Sequence, residues 1–134
     1  MQSLQITKAG GPEVFKLIEK TSSPMVPDGI RIQVAASGVN FADLMMRMGM
    51  YPEAPPLPFV PGYELSGTVT EVGPLVKTVK QGDRVIGACK FGAYFEYVWA
   101  DRNHNLVFQR RCRRRKFNCE YWFTIDQSAD VYSG

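Results

Sequence analysis

Residues that hold metals or form disulfides are scarce in this chain. It has one histidine, His104, and three cysteines, Cys89, Cys112 and Cys119, with no C-x-x-C pair. These counts argue against a disulfide framework and a closed four-ligand zinc site, so we expect reduced thiols. No apolar run reaches about eighteen residues, and the first residues lack the basic and apolar segments of a secretory signal. The sequence therefore predicts a cytoplasmic chain without a membrane-spanning helix.

The sequence also lacks the glycine-rich loops that bind nucleotide phosphates. No G-x-G-x-x-G follows a predicted strand, and no P-loop occurs. A hydrophobic share of 45% with 22% charged residues is ordinary for one globular domain of 134 residues. We therefore expect a single folded domain and no nucleotide-binding domain within these residues.

Short alternating segments separated by glycine and proline predict a mainly β fold with minor α content. The clearest strand is "IRIQVAASGV", in which Ile30, Ile32, Val34 and Ala36 share one face. The other predicted strands are "SLQITKAG", "EVFKLIEKTS", "ELSGTVTEVG", "DRVIGA", "AYFEYVWA" and "NLVF". Their spacing of about ten residues is typical of a compact, partly closed β-barrel.

One helix interrupts these strands. Asn40 is suited to cap its start and Gly49 to end it. The apolar residues with helical spacing are Phe41, Leu44, Met45 and Met48. The prolines that follow, between residues 52 and 61, exclude a regular element there.

Three segments in this order resemble a known superfamily. They are "SGVNFADLMMRMGMYP", "PFVPGYELSGTVTEVG" and "QGDRVIGACKFGAYFEYV". Together they resemble the GroES-like, alcohol dehydrogenase-like N-terminal domain of the medium-chain dehydrogenases/reductases, over residues 1–108. The sequence of these segments is most similar to the zinc-independent quinone oxidoreductases, above all to the branch of vesicle amine transport proteins, which share "NFADLM".

The resemblance implies a reductase without zinc. Zinc-dependent members carry a cysteine where this chain has Asn40 and a histidine where it has Tyr63, and Glu64 alone cannot hold the metal. The four-cysteine lobe of many relatives is missing as well. His104 is expected on a loop or surface, and Glu64 is expected to be a buried acid that bonds the backbone.

The same resemblance implies a site built from Asn40, Asp43 and Tyr51. These residues match positions that line the nicotinamide and substrate cleft, with Asn40 and Asp43 on the nicotinamide side. An amide can donate to a developing oxyanion, a carboxylate can orient it, and a phenol can supply a proton. Each residue also has a structural alternative: a helix cap for Asn40, a first-turn charge for Asp43, and packing on the prolines for Tyr51.

The methionines near this site allow two interpretations. The four residues are Met45, Met46, Met48 and Met50. They suit an adaptable lining for flat hydrophobic quinones. Core packing explains Met45 and Met48 equally well.

Residues 109–134 form an atypical basic tail. Residues 1–108 carry ten lysines and arginines against ten acidic residues, so the whole net charge of +3 belongs to the tail. A basic run can contact anionic membranes or nucleic acid, but at a chain end it is usually disordered, and nucleic-acid binding is disfavoured without a framing motif. A frame change is the other alternative: with AGA codons, residues 110–115 read one base later give Glu-Asp-Val-Glu-Glu.

The sequence therefore predicts the catalytic-domain portion of an NADPH-dependent oxidoreductase that reduces quinones or enones. Such a portion is expected to be inactive alone, because the half that binds NADPH is not among these residues. The alternative is a non-catalytic module that contacts membranes or proteins. An exposed docking face is expected to favour dimers or aggregates.

Overall fold

The chain forms seven strands, one α-helix and one 3-10 turn in a computed structural model that describes residues 1–100 and the backbone of residues 109 and 110. The strands are β1 Gln2–Ile6, β2 Phe15–Glu19, β3 Ile30–Ser37, β4 Glu64–Val72, β5 Arg84–Ala88, β6 Tyr97–Ala100 and β7 Gln109–Arg110. Helix α1 is Phe41–Arg47, and the 3-10 turn is Pro12–Val14. The mainly β prediction with one helix is confirmed.

The strands divide into two antiparallel sheets. β1 and β2 form a hairpin, and the other five pair in the order β6-β3-β4-β5-β7. Among the described residues, the two sheets do not close into one barrel. Single bridges join the hairpin to the rest, between Ser3 and Phe95 and between Ile6 and Phe59.

Alternating apolar residues of the larger sheet build the main core. Its buried members are Ile30, Ile32, Leu65, Val69, Val85, Cys89, Ala93, Val98 and Ala100. Ile30 and Ile32 are buried on the predicted face of β3, whereas Ala36, predicted on the same face, is exposed. The register with β4 shifts between Val34 and Ala36, and such an irregularity breaks the two-residue alternation.

A second, smaller cluster lies between the hairpin, α1 and the proline-rich segment. Ile6, Val14, Met46 and Phe59 are its buried members. Tyr51, Tyr63 and other partly buried residues pack against it. This cluster therefore joins the predicted helix to the turn that precedes β4.

Helix α1 has its predicted bounds but not its predicted face. Asn40 is the N-cap, and Gly49 follows the helix with φ of +73°. The buried residues are Asp43 and Met46, whereas Phe41 is 73% exposed and Leu44 and Met48 are also exposed. The interpretation that Met48 packs in the core is therefore wrong. The hydrogen bonds of Asp43 turn the other side of the helix inward.

Several predictions lie outside the described residues. They concern the strand "NLVF", His104, Cys112, Cys119 and the side chains of the basic tail over 109–134. They stay predictions.

Gly67 lies where two strands approach too closely for a side chain. A Cβ at this position would meet the Gln33 carbonyl oxygen of β3 and would lie 2.6 Å from Cγ2 of Ile32. Backbone atoms cannot yield as a flexible side chain can. The glycine therefore permits the close contact of β3 with β4.

We expect Gly67→Ala to destabilise the protein by about 3 kcal/mol, because β3 and β4 must separate to admit the methyl group. Gly82→Ala is the matched control. Gly82 has φ of +87° and open space around it, so its substitution costs only backbone strain, about 1 kcal/mol. Urea unfolding of both variants measures the difference, and equal losses would contradict the close approach.

Candidate functional site

A buried carboxylate organises the predicted site. Asp43 is 1% exposed, and its Oδ1 accepts a hydrogen bond from the Gly62 N–H at 3.0 Å. Its Oδ2 accepts from the Asn40 N–H at 2.8 Å and from the Tyr94 hydroxyl at 3.1 Å. Donors from three separate segments therefore satisfy one charge that water cannot reach.

Asn40 is fixed to this carboxylate by its backbone. It has extended φ and ψ of −101° and 159°, and its carbonyl accepts from the Asp43 N–H at 3.0 Å. With the bond from Asn40 N–H to Oδ2, residues 40 and 43 hold each other at the start of α1. The structural alternatives of helix cap and first-turn acid therefore describe what these two residues do locally.

Tyr94 provides the side-chain hydrogen bond to the Asp43 carboxylate. Its hydroxyl also lies 3.2 Å from the Gly38 carbonyl oxygen. Burial raises the pKa of Tyr94, and the negative charge of Asp43 raises it further. Tyr94 is therefore a neutral hydrogen-bond donor to the acid.

Tyr51 lies apart from this network and beside a second tyrosine. Both Tyr51 and Tyr63 pack against the smaller core cluster. Burial raises the pKa of Tyr63, and interaction with the Tyr51 hydroxyl is the next cause. The structure thus brings Asn40 and Asp43 into direct contact and places Tyr51 with Tyr63.

Two other ionisable residues, Glu64 and Cys89, lie close to segments of the Asp43 network. The Glu64 carboxylate rests against Gly38 and accepts no hydrogen bond from residues 1–100, unlike the backbone-bonded acid that was expected. The Cys89 thiol lies 3.5 Å from the Gly62 carbonyl oxygen, to which it donates. Burial raises the pKa of Cys89 to about 11, so the thiol is protonated and inert at neutral pH.

The donor set does not suit a metal ion. Across the described part of the chain, no three side chains of His, Cys, Asp or Glu come together. Zinc independence is nevertheless a prediction that rests on Asn40 and Tyr63. In the same residues, no helix is both long enough and apolar enough to span a bilayer.

Comparison with known proteins places the fold. Residues 26–109 match the alcohol dehydrogenase GroES-like domain. The chain belongs to this family, as the resemblance of its three motifs implied.

Several relatives and solved structures are similar to this chain. The chain is 49% identical over 84 residues to quinone oxidoreductase-like protein 2 of Mus musculus, which covers 63% of this chain and 24% of that protein. A human synaptic vesicle membrane protein VAT-1 homolog-like protein matches in structure with a TM-score of 0.76 and 31% identity, over 87% and 37% of the two chains. Quinone oxidoreductase of Escherichia coli complexed with NADPH gives 0.70 and 34%, over 81% and 33%. This chain therefore spans about a quarter to somewhat over a third of each relative.

Two residues of the arrangement were not found from the sequence. Tyr94 follows Asp43 by 51 positions, and no local pattern links them. Tyr63 was considered only as the position of an absent histidine. Its proximity to Tyr51 depends on the packing of the proline-rich segment, which periodicity does not describe.

We expect Asp43→Asn to destabilise the fold by about 2–4 kcal/mol. An amide nitrogen would replace one acceptor oxygen and would face a donor, either at Gly62 or at Asn40 and Tyr94. Chemical denaturation measures the loss. Glu19→Gln, an exposed acid on β2, is the control and should change the free energy of unfolding little; similar values for both variants would contradict the role of Asp43.

Proposed function

We propose that this chain is the catalytic-domain portion of a zinc-independent, NADPH-dependent oxidoreductase that reduces a quinone or an enone. The observation that carries the proposal is the attachment of Asn40 to a buried carboxylate that also binds the Gly62 turn. Fixing the Asn40 backbone limits where its side-chain amide can lie, and an amide N–H is suited to stabilise a carbonyl oxygen that gains negative charge. The likeness to quinone oxidoreductases, one of them in complex with NADPH, supports this assignment.

The three predicted residues then take different roles. The Asn40 side chain donates a hydrogen bond to the carbonyl oxygen as negative charge develops there. Tyr51 supplies the proton that completes the reduced product. Asp43 is a positioning residue, because its carboxylate oxygens are already engaged by Gly62, Asn40 and Tyr94.

The residues present fit the nicotinamide end of the cofactor. The side-chain amide of Asn40 offers both N–H donors and an acceptor oxygen, which suits the carboxamide of nicotinamide. When bound, the cofactor supplies hydride. Asn40 would bind the nicotinamide end of the cofactor. Asp43 would keep Asn40 in position by accepting the hydrogen bond from its N–H.

The chain by itself is proposed to have negligible turnover. Its sequence contains no phosphate-binding glycine loop, and the matched part is 24% of one relative and 33% of another. Cofactor affinity would then come from the part of those relatives that has no counterpart here.

The proposal is tested by a chimera in which residues 1–100 replace the corresponding part of the Escherichia coli quinone oxidoreductase. We expect NADPH oxidation that depends on 1,4-benzoquinone, and none above background with the 134-residue chain alone. In the chimera, Asn40→Ala and Tyr51→Phe should each lower kcat about a hundredfold. Tyr97→Phe, on β6, is the control. Retention of full kcat in both site variants would overturn the assignment.

An exposed apolar surface favours a second candidate, a self-associating interaction module. The exposed helix face consists of Val39, Phe41, Leu44 and Met48, which lie in α1 or within two residues of its ends, with Val39 and Phe41 each 73% exposed. Such large apolar side chains on one face favour burial against a partner. The proposed partner is a second copy of this chain. Weak contact with anionic membranes would instead need the tail over 109–134.

We expect Phe41→Ser to reduce self-association, because it removes the largest side chain from the exposed helix face. Sedimentation velocity over a range of concentrations measures the dimer fraction. Leu75→Ser is the matched control, since Leu75 is 65% exposed in the β4–β5 loop rather than on the helix. A monomer at all concentrations, or an equal effect of both variants, would contradict this candidate.

A further inference from the structure

Hydrogen bonds from two other segments hold the start of helix α1. In the part of the chain that the structure describes, residues 40–43 receive such bonds only from the Gly62 N–H, at 3.0 Å from Asp43 Oδ1, and from the Tyr94 hydroxyl, at 3.1 Å from Oδ2. The bond from the Asn40 N–H to Oδ2 is local, so it moves with the helix. The position of Asn40 in the site therefore depends on Gly62 and Tyr94 as well as on the chain itself.

Tyr94 has a fixed position from which it reaches the helix. It packs against the main core, whereas the buried Met46 of α1 belongs to the smaller core cluster. Its N–H donates to the Pro61 carbonyl at 3.2 Å, and its carbonyl accepts from the Leu4 N–H at 2.9 Å. Its ring lies against Gly62, where an added Cβ would be 2.7 Å from the ring Cδ1. The Tyr94 hydroxyl therefore links the main core to the helix that carries Asn40.

The Tyr94 hydroxyl has one proton and two neighbouring acceptors. Asp43 Oδ2 lies at 3.1 Å and the Gly38 carbonyl oxygen at 3.2 Å. A carboxylate is the stronger acceptor, and turning the proton away from it would bring two oxygen lone pairs face to face. Burial raises the pKa of Tyr94, and the charge of Asp43 raises it further, so the proton is present at neutral pH. The hydroxyl therefore donates to Asp43.

We propose that Tyr94 is a positioning residue, which sets the place of the Asn40 side-chain amide by anchoring Oδ2 of Asp43. Without this hydroxyl the carboxylate keeps one bond from another segment, that of Gly62, about which it is free to rotate. The start of α1 would then shift and carry Asn40 with it. This inference rests on the proposed function, in which that amide receives the carbonyl oxygen of the substrate.

A shift of Asn40 acts on the transition state more than on the bound substrate. Negative charge develops on the carbonyl oxygen only as the carbonyl is reduced, so the alignment of the amide matters most at that moment. Loss of the Tyr94 hydroxyl is therefore expected to lower kcat and to leave KM almost unchanged.

A double-mutant cycle in the chimera tests this dependence. We expect Tyr94→Phe, which keeps the ring and removes the hydroxyl, to lower kcat for 1,4-benzoquinone about tenfold. In the Asn40→Ala background the same substitution should lower kcat less than about twofold, because no amide is left to misplace. Tyr97→Phe, which removes a hydroxyl from β6, is the matched control and should change neither background. An unchanged kcat in Tyr94→Phe, or equal losses in both backgrounds, would overturn the inference.

Hydrogen exchange in the 134-residue chain tests the anchoring without cofactor or turnover. We expect Tyr94→Phe to speed exchange of the Asn40 N–H about tenfold relative to that of the Ile32 N–H in β3, because the Asp43 carboxylate that accepts from Asn40 has lost an anchor. A loss of global stability would speed both amides alike. Unchanged or slower relative exchange at Asn40 would overturn the inference. Tyr94→Met is a second hydroxyl-free variant if the first does not fold.

The two measurements separate this inference from the proposed function. An active chimera in which Tyr94→Phe changes neither kcat nor the exchange of Asn40 would overturn the role of Tyr94 and keep the reductase. An inactive chimera with faster exchange at Asn40 would overturn the reductase and keep the anchoring of residues 40–43 by Tyr94.

Discussion

The burial of one carboxylate is the constraint on which the rest of the site depends. An ionised acid removed from water must be matched by donors, or its burial costs several kcal/mol. Asp43 obtains those donors from the Asn40 and Gly62 backbones and from the Tyr94 side chain. Because these groups are far apart in the sequence, satisfying the charge also fixes the helix start, the Pro-Gly turn and the segment before β6 relative to one another.

This constraint explains why local structure was predicted well and the helix face was not. Asn40 and Gly49 mark the helix ends by chemistry that acts within one turn, so the sequence reveals them. Helical spacing places Phe41, Leu44 and Met48 on one side equally clearly. The structure buries Asp43 and Met46 instead, since an acid with three donors outweighs the apolar stripe. Hydrophobic periodicity cannot count hydrogen bonds that come from other segments.

The candidate site shows the same division between local and distant information. The contact between residues 40 and 43 spans three positions, which is within the reach of a local helix-capping pattern. Tyr94 and Tyr63 enter through strand pairing and through the packing of Phe59 and Phe91, which no short pattern encodes. The resemblance applies only to positions at which this chain and its relatives carry comparable residues. Tyr63 stands where zinc-dependent members carry histidine, so its role has to be interpreted from its own contacts.

Tyr63 and Tyr94, both partly buried, differ in whether their hydroxyls have hydrogen-bond partners. Tyr94 has a carboxylate and a carbonyl within reach, so its proton serves the fold. Tyr63 follows Gly62 directly, and its carbonyl accepts a hydrogen bond from the Cys89 N–H. Its hydroxyl, by contrast, has no hydrogen-bond partner among the described residues. The Pro-Gly turn therefore joins Gly62, whose N–H donates to Asp43, to a neighbour whose hydroxyl has no partner among the described residues.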